Sequence, residues 1–435
     1  MKLRIDPGTK VLGRTLIGGA PLRVLRLSEA GQRLFEQWRH GSEVGRGRDL
    51  ADRLIGAGLA HPVYAGGSLT SADVTIVVPA RDPAGPLPYG ALVVDDGSVE
   101  PIPQAAQRHQ VAKGPAAARN TGWWLAETEL VAFLDADTRP TPGWLDALLP
   151  HFEDPAVVAV APRVRSAPGA SKLERYERAR SSLDLGDEPA QVRRGGRVTY
   201  VPTAALVVRA NALREVGGFD EDLRFGEDVD FVWRLVDAGG RVRYEPEAEV
   251  LHEPRGTWRA WAKQRFDYGT SAAPLARRHG RKALAPLRMS GWTALAWSLA
   301  AVGKPAWGAA IAVVTAGLLP RKLRPLGVPD AESVKLALRG HLGAGRYVAD
   351  FVTRTWGPVA IPLLAATKRG RVLLALALSR HAYEWAKVRP DVDVATWVAA
   401  RTADDLSYGA GVWRGCLNER TVGPLLPDLS EWPGT

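Results

Sequence analysis

Five short apolar runs between residues 73 and 255 constrain this chain more than any other feature: VTIVVPA, ALVVDD, LVAFLDAD, VVAVAPRV and AALVVRA. Each is continuous rather than alternating, and helical segments separate them. A strand buried on both faces reads this way, and such strands form a mostly parallel sheet covered by helices on both sides. Open α/β sheets bind ligands beyond the carboxyl ends of their strands. Acidic motifs stand at those ends here.

The flanks read differently. Residues 1–66 carry short apolar runs split by Gly18, Gly19, Ala20 and Pro21. A helix follows, with Ser28 as N-cap and a stripe of Leu34, Phe35 and Trp38, and a second helix stops near Gly58. This predicts a small α+β or winged-helix module. The linker YAGGSLTSAD joins it to the sheet segment, taken as 73–270. From 271 to 435 the chain is helical and Trp-rich. Its apolar stretch 289–319 is interrupted at Lys304-Pro305. Each arm, as a helix, reaches roughly 21 Å against a hydrocarbon core of about 30 Å. Basic residues flank both sides, so the stretch reads as a buried or interfacial hairpin in preference to a membrane span.

The chain has 435 residues and a formal charge of +10, which suits polyanionic partners such as nucleotide phosphates or anionic lipid. Cys416, the only cysteine, excludes an intramolecular disulfide and any cysteine-based zinc cluster, and fits a reducing cytoplasm. No signal-peptide pattern is visible at the N-terminus. No basic recognition helix or stacking platform appears, so nucleic acid is not expected as a partner.

Six motifs carry chemistry. VTIVVPARD places Pro79, Arg81 and Asp82 after a strand, where backbone and carboxylate can meet a base or ribose. LVVDDGS sets Asp95 and Asp96 at a strand end as acceptors for uracil or ribose groups, or as an Asx-turn with Gly97 left-handed. KGPAAARNTGWW opens a helix at Gly114 and Pro115 whose N-terminus can face phosphate, with Arg119 and Asn120 one turn inside. VAFLDADT aims Asp135 and Asp137 to one side, since residues two apart on a strand share a face. Two such carboxylates repel unless a cation joins them, and a divalent ion bridging diphosphate oxygens does so. In GGFDEDLRFGEDVDF, Glu227 and Asp228 open a helix, where a carboxylate is available as a general base. His252, in VLHEPRGTW, follows a strand at a distance suited to a further metal ligand.

In this order the motifs resemble the family 2 inverting glycosyltransferases of GT-A fold, over about residues 73–270. VVDDGS, GPAAARN, FLDADT and GEDVDF together are specific, although none is alone. The resemblance implies a Rossmann-like, mostly parallel sheet, a nucleoside pocket at Asp82 and Asp96, and a divalent metal (Mn2+ or Mg2+) with sugar nucleotide at Asp135 and Asp137. It implies Asp228 as catalytic base with Glu227 beside it. Gln264, Arg265 and Tyr268 would stand near the acceptor channel.

A narrower resemblance spans nearly the whole chain. DPGTKVLGRTLIGGAPLRVLRLSEAGQRLFEQW, DLADRLIGAGLAHPV and QRFDYGTSAAPLARRHG look like the glycosyltransferases of the mycofactocin system, and the first 66 residues are similar to PqqD-like peptide-recognition modules. That implies glucose transfer from UDP-glucose to the peptide-derived cofactor premycofactocin, building β-1,4 chains, in the cytoplasm or on the cytoplasmic face of the membrane. One departure stands out. Only nine residues, Pro83 to Ala91, with three prolines and two glycines, join the first two strands. The family places a helix there, and parallel strands ordinarily need a crossover of a dozen or more residues. The alternative reading is a peptide-binding carrier with a degenerate transferase domain. A sugar-nucleotide-forming nucleotidyltransferase lacks its Gly-rich start and following lysine.

Overall fold

The computed structural model describes residues 1–88 and 90–429. The chain forms two compact units. The first holds Met1–Thr9, Gly18–Arg23 and Glu29–Pro254; the second holds Lys10–Ile17, Val24–Ser28 and Arg255–Thr435.

The first unit is built on a nine-stranded sheet. Its order, from one edge, is Ala105–Arg108, Leu92–Asp95, Val74–Ala80, Leu130–Leu134, Ala205–Arg209, Val157–Ser166, Arg241–His252 and Thr138–Pro140, with Ala190–Gln191 paired to Arg241–His252. The first four strands run parallel. Ala205–Arg209 is antiparallel to both its neighbours, and Val157–Ser166 and Arg241–His252 are again parallel. This is the mostly parallel, GT-A-type α/β arrangement expected. Every residue of Leu130–Leu134 is fully buried, which explains its unbroken apolar sequence.

The short crossover is accommodated without a helix. Val77–Ala80 pairs in parallel with Leu92–Asp95 although only irregular chain joins them. The strands are short, so about a dozen extended residues at roughly 3.3 Å each are ample to return. Leu87 and Ala91 pack on the core in place of a helix face. Proline suits this segment, since its fixed φ lowers the entropy lost in ordering an extended path.

Also in the first unit, Lys2–Ile5 pairs antiparallel with Ala60–Val63, and helices Glu29–Arg39 and Arg48–Ala57 lie between them in sequence. Gly58 ends the second helix in the left-handed conformation, as expected. Ion pairs tie these elements to the sheet: Arg48 and Arg241 share Asp154, and Arg241 also meets Asp52.

The second unit is helical from Trp258 onward. Helix Trp258–Thr270 crosses Val394–Asn418 closely: a Cβ on Gly411 would lie 2.0 Å from the Phe266 carbonyl oxygen. The predicted hairpin is present as Gly291–Ala301 and Pro305–Leu323, turning at Val302–Lys304. No helix among the described residues is long and apolar enough to cross a membrane.

Candidate active site

The carboxyl ends of the central strands carry the acidic motifs, and helix Pro115–Trp124 links them. Arg119, on that helix, is 4% exposed. One terminal nitrogen donates to Asp135 at 2.7 Å and the other to Glu227 at 3.0 Å. A single buried guanidinium therefore joins the strand-end acid to the acid opening helix Glu227–Asp237. Burial alone would weaken that cation; Asp135 and Glu227 outweigh it and hold its pKa above the ordinary value. Phe219 lies beneath it, 5.6 Å from ring centre to guanidinium carbon.

Asn120 completes the clamp. Its amide donates to the Phe219 carbonyl and to Glu221, and its oxygen accepts from the Phe219 N–H at 2.9 Å. Arg234 anchors the other side of the same loop, bonding Asp230 and the carbonyls of Val216 and Gly218. Arg119 and Asn120 thus face protein groups: they hold the acidic loop in place.

Asp228 is partly reachable from solvent yet surrounded by protein atoms. Burial raises its carboxyl pKa to about 7, and the charge of Glu227 adds to this. The Val229 N–H, donating to Asp228 at 2.8 Å, and Arg119 pull the other way without cancelling it. A carboxylate poised near neutrality suits a general base.

Asp137 and His252 meet across neighbouring strands. Thr138 pairs with His252 in the register, and His252 Nε2 lies 3.4 Å from Asp137 Oδ1. No group of three or more His, Cys, Asp or Glu converges as a ready metal cage among the described residues. The pair nonetheless fits a divalent ion that completes its shell from ligand oxygens and water, since carboxylate and imidazole both ligate divalent cations.

The two motifs read from sequence as nucleoside-binding are internally knitted. Asp95 is fully buried and accepts from the N–H groups of Ser98 and Ile102. Asp96 accepts from His109 Nδ1 and from the N–H groups of Lys113 and Gly114, all at 2.8 Å. The N–H groups just before the helix thus face Asp96. The turn between the two motifs needs Gly97 (φ 73°), where a Cβ would meet Ala112 N at 2.7 Å. Asp82, at φ 46°, accepts from Val99 N–H, and its own N–H donates to Ser98. Its side chain remains half exposed, beside Arg81. Pro79 sits in register with Val94 on the adjoining strand. His109 was not singled out from sequence; only its position between two motifs could have drawn attention to it.

Gln264, Arg265 and Tyr268 belong to the second unit. Arg265 is 2% exposed, 3.6 Å from Asp404 and over the Trp261 and Tyr268 rings. It is part of the helix packing there, while Gln264 and Tyr268 are partly exposed.

A D-x-D sequence after a strand and a second acidic motif at a helix start thus stand at the carboxyl ends of the sheet. Residues 130–327 match the description "Glycosyl transferase family group 2". The chain is 39% identical to the pre-mycofactocin glycosyltransferase of Mycobacterium tuberculosis, over 98% of this chain and 97% of that one. It is 28% identical to the glycosyltransferase AglE of Haloferax volcanii over 38% of this chain and 57% of that one. Among solved structures it is similar to a mannosyltransferase of Pyrobaculum calidifontis in complex with GDP-Man and Mn2+ (16% identity, 88% of this chain and 95% of that one, TM-score 0.45). The chain belongs to the family 2 glycosyltransferases, in the group of the pre-mycofactocin glycosyltransferases, and is a glycosyltransferase enzyme.

Proposed function

We propose that this enzyme transfers glucose from UDP-glucose to premycofactocin, with inversion at the anomeric carbon. The observation that carries the chemistry is the Asp135–Arg119–Glu227 clamp, which sets Asp228 in surroundings that raise its pKa to about 7. Asp228 takes the proton from the acceptor hydroxyl as that oxygen attacks. The sugar–phosphate bond breaks on the opposite face, and UDP leaves. Asp137 and His252 would hold the divalent ion, Mn2+ or Mg2+, which supplies charge neutralisation for the diphosphate. Asp82, with Arg81 and Pro79, is the exposed part of the nucleoside side, and Asp95 and Asp96 keep its turn rigid. The name of the 39% identical relative supports the acceptor. Residues 1–66 serve as the module that recognises its peptide-derived part.

The test is UDP release from UDP-glucose, with Mn2+, with Mg2+ and with EDTA, for the wild type and Asp137→Ala. Metal-dependent release that the variant loses is expected. Absence of both release and UDP binding with every metal would favour a peptide-binding carrier instead.

A further inference from the structure

We propose that a small inorganic anion, of chloride size and charge, binds at Arg243, between the sheet and the N-terminal elements of the first unit. The inference does not use the transfer site.

Arg243 lies on strand Arg241–His252, with Val160 and Gln191 beside it in the register. Side chains two apart on a strand share a face, so Arg241 and Glu245 flank it. The N-terminal elements cover that face. Arg241 meets Asp52 of helix Arg48–Ala57, and His61 and Tyr64, in and just after strand Ala60–Val63, lie within electrostatic reach of Arg243.

The guanidinium is 1% exposed, and none of its three nitrogens has a hydrogen-bond partner among the described residues. It brings five N–H donors and a full charge to a place without water, where such a group ordinarily has a partner. The carboxylates nearby are engaged elsewhere. Glu245 lies 3.2 Å from His151 Nε2 and accepts from the Glu247 N–H. Asp154 accepts from Arg48, Arg241 and the Ala156 N–H. Burial pushes the Arg243 pKa down to about 10, against the pull of Glu245, so the group is still a cation at neutral pH.

Three features select a compact anion. Tyr64 Oη is also buried without a partner, and it adds a sixth donor. The unpartnered acceptors His61 Nδ1 and Gln191 Oε1 balance no charge, since burial brings the His61 pKa to about 4 and keeps the ring neutral. A water molecule accepts about two hydrogen bonds and must place two protons of its own, whereas an anion accepts from every side. Enclosure then sets the size: a guanidinium closed off from solvent admits a halide-sized ion in preference to a phosphate.

The test uses the full chain in chloride or bromide, with gluconate holding the ionic strength fixed. Crystals soaked in sodium bromide should show an anomalous peak at hydrogen-bond distance from Arg243. Chloride should raise the wild-type melting midpoint saturably, by about 3–5 °C at ten times its half-saturating concentration. Arg243→Met should melt at one temperature whatever the halide. Should that variant not fold, Gln191→Glu decides: it sets a carboxylate beside Arg243 and should abolish the chloride response while circular dichroism stays native. The absence of an anomalous peak at Arg243, a wild-type midpoint indifferent to chloride, or a chloride response retained in either variant would overturn the proposal.

Discussion

The molecule contains two clusters in which arginines meet carboxylates away from water, and they are balanced in opposite ways. At the sheet ends a single buried cation, Arg119, serves Asp135 and Glu227 with Asp228 beside them. In the helical unit Arg354, Arg380 and Arg401 surround Asp404 and Asp405. Burial, with the charge of Glu227 added to it, raises the Asp228 pKa to about 7. In the second cluster burial works to raise the Asp405 pKa, but a hydrogen bond with His381 and the three arginines overcome it and hold it far below the usual carboxylate range. Buried ion pairs repay their desolvation only when charge and hydrogen bonds are complete. In the helical cluster several arginines face each carboxylate, and it reads as structure. The sheet-end cluster has a single buried arginine for its carboxylates, the arrangement that the proposed base requires.

The largest test of this contrast is Asp228→Asn. It should lower transfer turnover about a thousandfold while leaving UDP binding intact, read from steady-state kinetics and calorimetry. Asp405→Asn should leave turnover per folded molecule within a few-fold.

Removing Arg119 breaks the clamp. Arg119→Met leaves Asp135 and Glu227 facing each other without a cation, and should cost about 3–5 kcal/mol in denaturant unfolding. Arg380→Met should cost less, because Arg354 and Arg401 still face Asp405.

The two clusters should also answer pH in opposite directions. Asp228 has a folded pKa above its unfolded value, so its contribution to stability is complete below the unfolded value, near 3.8, and is lost as pH rises through about 7. Asp228→Asn should therefore melt higher than wild type at pH 8 and equally at low pH. Asp405 has a depressed pKa, so its contribution is present above the unfolded value and is lost as pH falls through the folded one. Asp405→Asn should remove part of the wild type's loss of stability in acid, followed by circular dichroism.

The smallest effect concerns the rate profile. Turnover should rise with pH through about 7 as Asp228 ionises. Glu227→Gln removes a negative neighbour that raises this pKa, so the rising limb should move to lower pH. A limb that moves upward or stays fixed would mean that another group limits the rate.

Much of this was legible in the sequence because it is local. Continuous apolar runs marked the buried strands, and Gly58 and Ser28 bounded a helix and its neighbour, whereas Asp135 and Asp137, beyond the strand, meet different partners, Arg119 and His252. The acidic opening of helix Glu227–Asp237 announced Asp228. The roles of Arg119, Asn120 and Asp96 were not legible. Their position in a motif suggested contact with a ligand; in the fold they also bond protein groups, up to 108 residues away in the chain.

Sequence by itself determined the alternation of elements and the residue types at each strand end. Periodicity and composition are properties of neighbours along the chain, so these needed no fold. Tertiary structure alone decided that Leu87 and Ala91 stand in for a missing helix, that Arg265 belongs to helix packing and that one guanidinium holds two distant acids together. Those outcomes depend on which desolvated groups find partners in space, and desolvation is set by the packed chain rather than by the order of its residues.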